Sequence, residues 1–460
     1  MCNSKTFPRT SAHIASPRRV FIQQASALAA APMLASLGMT ESLAQSTQDY
    51  KALVCIFMFG GNDGNNLLIP RDPADWAKYA GPRGRLAIPR DQTLSIKPSN
   101  AQGREFGLHP AMTGIQTLFN SGKAAVVANL GTLAAPLTKA QYQANQVQKP
   151  SNLFSHSDQQ FLWNTGIADN SLRSGWGGRL GDRVASMNQS GSLTTNLSVG
   201  GNSTFLNGDT IRPFPVSPSG QFGLDFLDSG SDTVALSQGM TRMLAQPQAN
   251  VMDSVWLEIL GGSIVNQKQL STALNGAPLF QTAFPDTGLV NALKMVARLI
   301  SVRSTFGAKR QVFFAGIGGF DTHGEDQPQR QQELLGEVSN AMTAFYNATV
   351  ELGVGSNVTA FTASDFGRNF PTNGRGSDHG WGSHHLVVGG GVRGNAMYGT
   401  FPTLLVDGPD DAGEGRWIPT TSVDQYAATM ASWFGVNTGD VNLVFPNLKR
   451  FATANLGFMA

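Results

Sequence analysis

Carboxylates and histidines are concentrated in three short motifs, and each motif directly follows a stretch that is predicted to be a strand. The first motif, GGNDGNN, contains Asp63; the second, GFDTHG, contains Asp321 and His323; the third, ASDFGR, contains Asp365 and Arg368. Residues two positions apart in an extended backbone point the same way, so Asp321 and His323 are able to bind one ion together. A carboxylate with an imidazole suits zinc or another first-row metal. Taken singly, each motif also fits an ordinary surface turn.

The elements that would position these motifs alternate between strands and helices. Runs of mostly apolar residues, typical of strands buried on both faces of a parallel sheet, occupy residues 52–59, 124–128, 311–315, 358–362 and 385–388. Apolar residues recur at the helical period in residues 109–119, 289–300, 331–352 and 424–434. Strand, helix and strand at this spacing form βαβ units, so we predict an α/β fold with a mostly parallel central sheet between helical layers. Ligands bind such sheets at the carboxyl ends of the strands, which is where the three motifs fall.

The first 44 residues have the pattern of an export signal. No acid precedes Glu41, the pair Arg18 and Arg19 comes before an Ala-rich stretch, and small residues at 42–44 offer a cleavage site. This pattern is typical of a twin-arginine signal peptide, and it predicts a periplasmic or secreted protein with the twin-arginine translocase as its partner during export. The stretch is too short and Ala-rich for a membrane span, which needs about 20 apolar residues. Residues 45–460 then form the mature domain.

Composition narrows the function further. The formal net charge is +2 and only 14% of the residues are charged, which argues against a nucleic-acid partner, since such a partner requires a basic stripe. Cys55 is the single cysteine of the mature chain, which excludes a disulfide within it. From about residue 186 to 285 the chain is rich in Ser, Gly, Asn and Thr, and this range is predicted to be an insertion or cap over the sheet.

Five motifs make the chain similar to domain of unknown function family 1501, a bacterial twin-arginine-exported family. The motifs are LVCIFMFGGNDGNN, SHSDQQFLWNTG, GFDTHGEDQ, SDFGRNFPTNGRGSDHGWGSHH and DQYAATMASWFGV, and they are spread over nearly the whole mature chain. This family resembles a branch of the alkaline-phosphatase/sulfatase-like superfamily. The resemblance implies an alkaline-phosphatase-like sheet between helices, with a divalent metal at its carboxyl edge.

The resemblance also implies which residues bind the metal. The residues that match the superfamily's ligands are Asp63, Asp321, His323, Asp365 and His379, with His384 in reserve. Phe366 stands where the superfamily has a second ligand, a His or Asn. One metal, or an altered second site, is therefore favoured over a full two-zinc site. Zinc is the expected metal, with calcium and manganese as the alternatives.

The resemblance also implies a nucleophile between the first metal-binding acid and the later ligands. The sequence SHSD at 155–158 lies in that part of the chain. Ser155 is the expected nucleophile, because a hydroxyl beside a divalent cation is deprotonated more easily. A serine that merely caps the following helix is the alternative. His156 is the expected acid or base. Arg368 is expected to bind an anionic substrate oxygen in bidentate fashion.

Two functions follow from these expectations. The first is a periplasmic metal-dependent hydrolase of phosphate or sulfate esters, acting on an anionic small molecule or a polysaccharide ester. The second is a non-catalytic periplasmic binding or assembly protein that keeps the phosphatase-like fold. The retained acids and histidines favour the hydrolase, whereas Phe366 favours the non-catalytic protein.

Overall fold

The computed structural model describes residues 49–101, 103–167, 173–189, 195–220, 234–246 and 250–460. The predicted export signal at 1–44 lies outside these residues. Residues 50–460 belong to one compact unit. Among the described residues, no helix combines the length and the apolar character needed to span a bilayer.

The strands are short except for those at the centre of the sheet. In chain order they are β1 (Lys51–Met58), β2 (Leu68–Pro70), β3 (Leu94–Ile96), β4 (Phe106–Leu108), β5 (Ala124–Gly131), β6 (Asn196–Ser198), β7 (Phe214–Pro215), β8 (Arg310–Ile317), β9 (Val358–Ser364), β10 (Ser383–Gly389), β11 (Met397–Tyr398) and β12 (Thr421–Ser422).

The helices lie between these strands in the chain. In order they are α1 (Gly64–Leu67), α2 (Pro73–Arg83), α3 (Thr113–Asn120), α4 (Lys139–Gln143), α5 (His156–Thr165), α6 (Trp176–Val184), α7 (Val234–Ala245), α8 (Val251–Asn275), α9 (Gly288–Ser301), α10 (Gln327–Glu351), α11 (Val423–Phe434) and α12 (Thr438–Val444).

The central sheet has the strand order β11-β5-β10-β9-β1-β8-β6-β7, and β12 also pairs with β5. β1 runs parallel to β8 and β9, and β6 runs parallel to β8 and β7. Among the described strands of this sheet, β10 alone is antiparallel to its neighbours, β9 and β5. The predicted mostly parallel sheet is therefore confirmed. A second, small sheet has the antiparallel order β2-β4-β3.

Two hydrophobic cores cover the two faces of the central sheet. Successive side chains of a pleated strand point to opposite faces, so Val54 and Ile56 of β1 enter one core while Cys55 and Phe57 enter the other. The first core contains residues of α3, α9 and α10, and the second contains residues of α5, α6, α11 and α12. This arrangement confirms the predicted α/β class with helical layers on both faces. The thiol of Cys55 is free and buried.

The range 186–285, predicted as an insertion or cap, contributes to the main sheet as well. It contains β6 and β7, which extend the sheet beyond β8, and it also contains α7 and α8. Parts of this range lie outside the described residues.

Strand direction explains how distant loops meet. β1, β8 and β9 are parallel, so the loops that follow them emerge at one edge of the sheet. β10 is antiparallel to β9 and therefore begins at this same edge. The loop that enters β10 consequently joins the loops that leave the other three strands. The sequence motifs that carry carboxylates and histidines lie in these loops.

Candidate metal centre

Three imidazoles and a carboxylate converge at this edge of the sheet. His156, Asp321 and His379 each offer a ligand atom, and these atoms all lie within 4.8 Å of one another. His323 adjoins them: its Nε2 atom lies 2.9 Å from Asp321 Oδ1 and 3.1 Å from His379 Nε2. Nε2 of His156 and Nε2 of His379 are 3.1 Å apart, and each lies 3.4 Å from Asp321 Oδ1. Ligands about 2.0–2.1 Å from a tetrahedral zinc ion are about 3.3 Å apart, so these spacings suit a shared cation.

Each of the three imidazoles is held by a hydrogen bond at its other nitrogen. The Nδ1 atom of His156 lies 2.7 Å from Asp365 Oδ2, that of His323 lies 3.0 Å from Asp378 Oδ1, and that of His379 lies 2.7 Å from the carbonyl oxygen of Phe154. Carbonyl and carboxylate oxygens accept, so each Nδ1 donates and each ring, when neutral, presents the lone pair of Nε2 to the cluster. Nitrogen donors with one carboxylate fit zinc or another first-row metal, whereas calcium prefers about six to eight oxygens.

Arg368 faces inward and supports Asp321. Its Nη1 atom donates to Asp321 Oδ1 at 2.8 Å and to the carbonyl oxygen of Gly60 at 3.1 Å. Its Nη2 atom donates to the carbonyl oxygens of Thr322 and Ser377. Burial acts to raise the pKa of Asp321, but the hydrogen bond and charge of Arg368 outweigh it, so the pKa is lowered. The sequence predicted that Arg368 binds a substrate oxygen, but in this arrangement its guanidinium is occupied by the protein.

Asp365 lies behind His156 and not at the centre of the cluster. Besides accepting from His156, its Oδ2 atom accepts from the backbone N–H of Gly60 at 3.2 Å and from Gln160 Nε2 at 2.9 Å. The hydrogen bond to Asp365 raises the pKa of His156, although partial burial opposes it. The pKa of His379, by contrast, is lowered by burial. The structure thus places the predicted ligand Asp365 as the residue that orients His156.

Asp63 is fully buried and paired away from the cluster. Its Oδ2 atom accepts hydrogen bonds from Arg83, at the end of α2, and from Gln327 Nε2 at 2.9 Å. Ser377 donates in turn to Gln327 Oε1 at 2.9 Å. The structure does not bring Asp63, the first predicted metal ligand, into the group formed by the histidines.

Phe366 forms an apolar wall of the cluster, at the position where the superfamily has a ligand. Its ring centroid lies 4.9 Å from that of His156 and 4.7 Å from that of His379. The two glycines after β1 allow this close packing. A Cβ on Gly61 would lie 2.4 Å from the Phe366 ring, and one on Gly60 would lie 2.3 Å from the backbone nitrogen of the residue at 321. Both glycines also have positive φ, which disfavours any side chain.

Ser155 and His384 occupy different environments. Ser155 is the N-cap residue of α5, and its hydroxyl donates to Asp158 Oδ2 at 2.6 Å. His384 lies within the buried strand β10, where its Nδ1 atom accepts from the backbone N–H of Asn129 at 3.1 Å. Burial lowers the pKa of His384 to about 3, so this ring is neutral. His384, the reserve ligand, is therefore a residue of the buried core. Ser155 lies next to the candidate ligand His156 in the chain.

Three features of the centre were not predicted from the sequence. His156 was expected to act as an acid or base, but the structure places it among the candidate ligands. Asp378 was not singled out, although it precedes His379 in the GSDHG motif. The carbonyl of Phe154 carries no sequence signal, because its direction depends on a backbone φ of 74°. Bulky residues rarely adopt such a φ.

The fold and the cluster together define an α/β protein with a candidate one-metal centre at the carboxyl edge of its sheet. Residues 50–441 match the family described as "Protein of unknown function (DUF1501)", and the chain belongs to that family. This confirms the family that the sequence motifs indicated. Comparison with curated proteins gave no match.

Solved structures similar to this chain include sulfatase and alkaline-phosphatase types, as the sequence resemblance implied. The PsFucS1 sulfatase from Pseudoalteromonas sp. is 10% identical over 92% of this chain and 72% of that chain, with a TM-score of 0.34. The lipoteichoic acid synthase LtaP from Listeria monocytogenes is 8% identical over 86% and 74%, with a TM-score of 0.35. A mutant of the alkaline phosphatase PafA is 11% identical over 70% and 64%, with a TM-score of 0.26. Similarity at this level carries no argument about activity.

Proposed function

We propose that this protein is an exported metal-dependent hydrolase, which cleaves phosphate or sulfate esters of an anionic small molecule or polysaccharide at a single divalent cation. The observation that supports it is the convergence of oriented imidazoles on Asp321. The side chains of His156, Asp321, His323 and His379 are between 24% and 47% exposed. A site that opens to solvent in this way is accessible to a substrate.

The chain's own residues prepare this centre. When bound, a divalent cation supplies Lewis-acid chemistry that stabilises negative charge on an ester oxygen. Asp365, Asp378 and the carbonyl of Phe154 keep the imidazoles in the tautomer with a free Nε2 lone pair. Arg368 keeps Asp321 ionised and fixes its direction. Phe366 keeps water away from one side of the cluster.

Ser155 is the proposed nucleophile. It directly precedes His156, and its hydroxyl donates a hydrogen bond to Asp158. This hydrogen bond lowers the pKa of Asp158, so the carboxylate is ionised at neutral pH and keeps the hydroxyl proton directed toward it. The hydroxyl of Ser157 lies 3.3 Å from the Ser155 oxygen, which leaves one lone pair of that oxygen for attack. We expect Ser155→Ala to lower turnover by more than about a hundredfold while the metal content stays unchanged.

Metal analysis of the purified mature protein, followed by assays with a generic aryl phosphate and aryl sulfate, tests the proposal. We expect one ion of the zinc class per chain, and turnover that is lost on chelation and restored by zinc. His379→Ala should lose both the metal and the turnover. Asp253→Asn removes an exposed carboxylate on α8 and should retain both. Absence of stoichiometric metal from the wild-type protein would contradict the proposal.

A non-catalytic binding or assembly role is the second candidate. The inward direction of Arg368 favours it, because the guanidinium that was expected to bind a substrate oxygen is occupied by Asp321 and backbone carbonyls. Stoichiometric metal in a protein that hydrolyses neither ester would support this role and contradict the hydrolase.

A further inference from the structure

A second arginine lies against the metal centre and remains partly open to solvent. The Nε atom of Arg416 donates to the backbone carbonyl of His379 at 3.1 Å. Its guanidinium lies over the ring of Phe154, 4.4 Å from the centroid. Phe154 is also the residue whose carbonyl accepts from the His379 imidazole. Arg416 therefore contacts both residues of this hydrogen bond, and its side chain is 25% exposed.

Two other arginines of this region, Arg368 and Arg83, are closed to a ligand. The side chains of Arg368 and Arg83 are both 0% exposed, and they pair with Asp321 and Asp63 respectively. Of these three arginines, Arg416 alone has exposed side-chain surface. An anionic group that approaches the cluster from solvent can therefore reach the guanidinium of Arg416, but not the other two.

The backbone that carries Arg416 is held in place by a buried carboxylate. Asp411 is 0% exposed and accepts from the backbone N–H groups of Asp407 at 2.8 Å, Gly413 at 2.7 Å and Arg416 at 3.0 Å. The carbonyl of Gly415 accepts from the backbone N–H of Phe370 at 2.8 Å. Because the backbone of this loop is already fixed, ligand binding by its side chains does not carry the entropy cost of ordering the loop.

The ion pair that Arg416 makes is one that a substrate can replace. Its partner Glu414 is 69% exposed, and an ion pair in such an exposed position contributes little free energy. A phosphate or sulfate group also offers two oxygens to the planar fork of a guanidinium in a charge-assisted arrangement. Exchange of Glu414 for a substrate anion therefore costs little free energy.

We propose that Arg416 binds the phosphate or sulfate oxygens of the substrate at the metal centre. This inference rests on the proposed ester hydrolysis and assigns the recognition of the anion, for which the sequence had indicated Arg368. It makes Arg416 a specificity-determining residue for anionic esters.

Binding of inorganic phosphate and inorganic sulfate to the zinc-loaded mature chain, measured by calorimetry, tests this assignment. We expect Arg416→Met to raise the Kd for phosphate about tenfold or more, with the zinc content unchanged. Arg416→Lys keeps the charge but loses the planar fork, so its Kd should be intermediate. Glu414→Gln removes the competing carboxylate and should lower the Kd. Arg183→Met is the control, because Arg183 pairs with Asp440 and should leave the Kd unchanged.

An unchanged Kd in Arg416→Met would overturn the inference. If Arg416→Met loses zinc, Glu414→Gln decides, since it leaves the arginine in place: a lower Kd supports the inference and an unchanged Kd overturns it. Zinc-loaded wild-type protein that binds neither anion would also overturn it, while the metal centre would stand. Wild-type protein that binds no zinc contradicts the proposed function itself.

Discussion

A histidine ring binds a cation through one nitrogen, and the hydrogen bond at the other nitrogen decides which one is free. In this protein, Asp365, Asp378 and the carbonyl of Phe154 make that choice for three rings. The backbone at Phe154 is strained, with a φ of 74°, and its carbonyl accepts from the most central imidazole, that of His379. Strain of this kind persists where the surrounding structure enforces it, and it is concentrated at functional sites.

Asp378 gives the clearest test of this orientation, because it is half exposed and so contributes little to the core. Asp378→Asn replaces a carboxylate that accepts from His323 with a neutral amide, which weakens the hold on the ring. We expect the affinity for zinc to fall about 10- to 100-fold, with the free energy of unfolding of the metal-free protein unchanged. Competition with a chromogenic chelator measures the affinity. The exposed control Asp253→Asn should bind zinc as the wild type does; equal affinity in Asp378→Asn would contradict the role.

At the scale of elements, the end of α2 is joined to the loop after β1 by a buried ion pair. Arg83 and Asp63 both have 0% exposed side chains. Arg83→Met leaves the carboxylate buried without its cation, so we expect it to lower the free energy of unfolding by about 3–5 kcal/mol. The double variant Arg83→Met/Asp63→Asn removes the uncompensated charge and should recover part of this loss. Urea unfolding measures both, and a double variant no more stable than Arg83→Met would contradict this explanation.

The helix α11 carries a carboxyl whose titration changes the stability of the fold. Asp424 lies in its first turn and is 2% exposed, and burial raises the pKa of Asp424 to about 7, against the lowering effect of Arg179. Between about pH 4 and pH 7 the folded state therefore holds a proton that the unfolded chain has released. The stability that the neutral carboxyl contributes is present at pH 4 and is lost as the pH rises through 7.

Asp424→Asn removes this loss, because the amide stays neutral at every pH. We expect the variant to exceed the wild type in free energy of unfolding by up to about 4 kcal/mol at pH 8, and to match it within about 1 kcal/mol at pH 4. Urea unfolding across this pH range measures the difference. Asp253→Asn keeps Asp424, so its curve should run parallel to that of the wild type. Parallel curves for the wild type and Asp424→Asn would rule out the buried titration.

At the scale of the whole molecule, the sequence predicted those strands that appear in it as runs of mostly apolar residues. Strands buried on both faces give such runs, so β1, β5, β8, β9 and β10 were found to within a few residues. β6 and β7 were missed because they have three and two residues, too few for any pattern. The antiparallel direction of β10 was not predicted either. An apolar run has no direction, so only its pairing with β9 and β5 reveals it.

The sequence indicated those side chains of the centre that directly follow or precede a strand. It did not indicate those whose role depends on partners distant in the chain. The structure brings Asp321, His323 and His379, which were each predicted as ligands, close together. The contact that orients His156 joins it to a residue 209 positions away, and no local spacing encodes such a pair. Arg83 lies at the end of a polar surface helix, so its pairing with a buried acid carries no signal in the sequence.

The proposed metal centre joins segments that are distant in the chain, and this predicts a link between metal binding and global stability. His156 begins α5, Asp321 follows β8 and His379 precedes β10, so a cation held by all three stabilises the folded state over the unfolded chain. At a free zinc concentration of 100 times the Kd, we expect the free energy of unfolding to rise by about 2.7 kcal/mol, with a higher Tm. Thermal unfolding with zinc and with a chelator measures this, and Asp253→Asn should keep the difference. His379→Ala should lose it, since the loss of this ligand atom weakens zinc binding strongly. A wild-type Tm that does not change with zinc would mean that these side chains hold no cation.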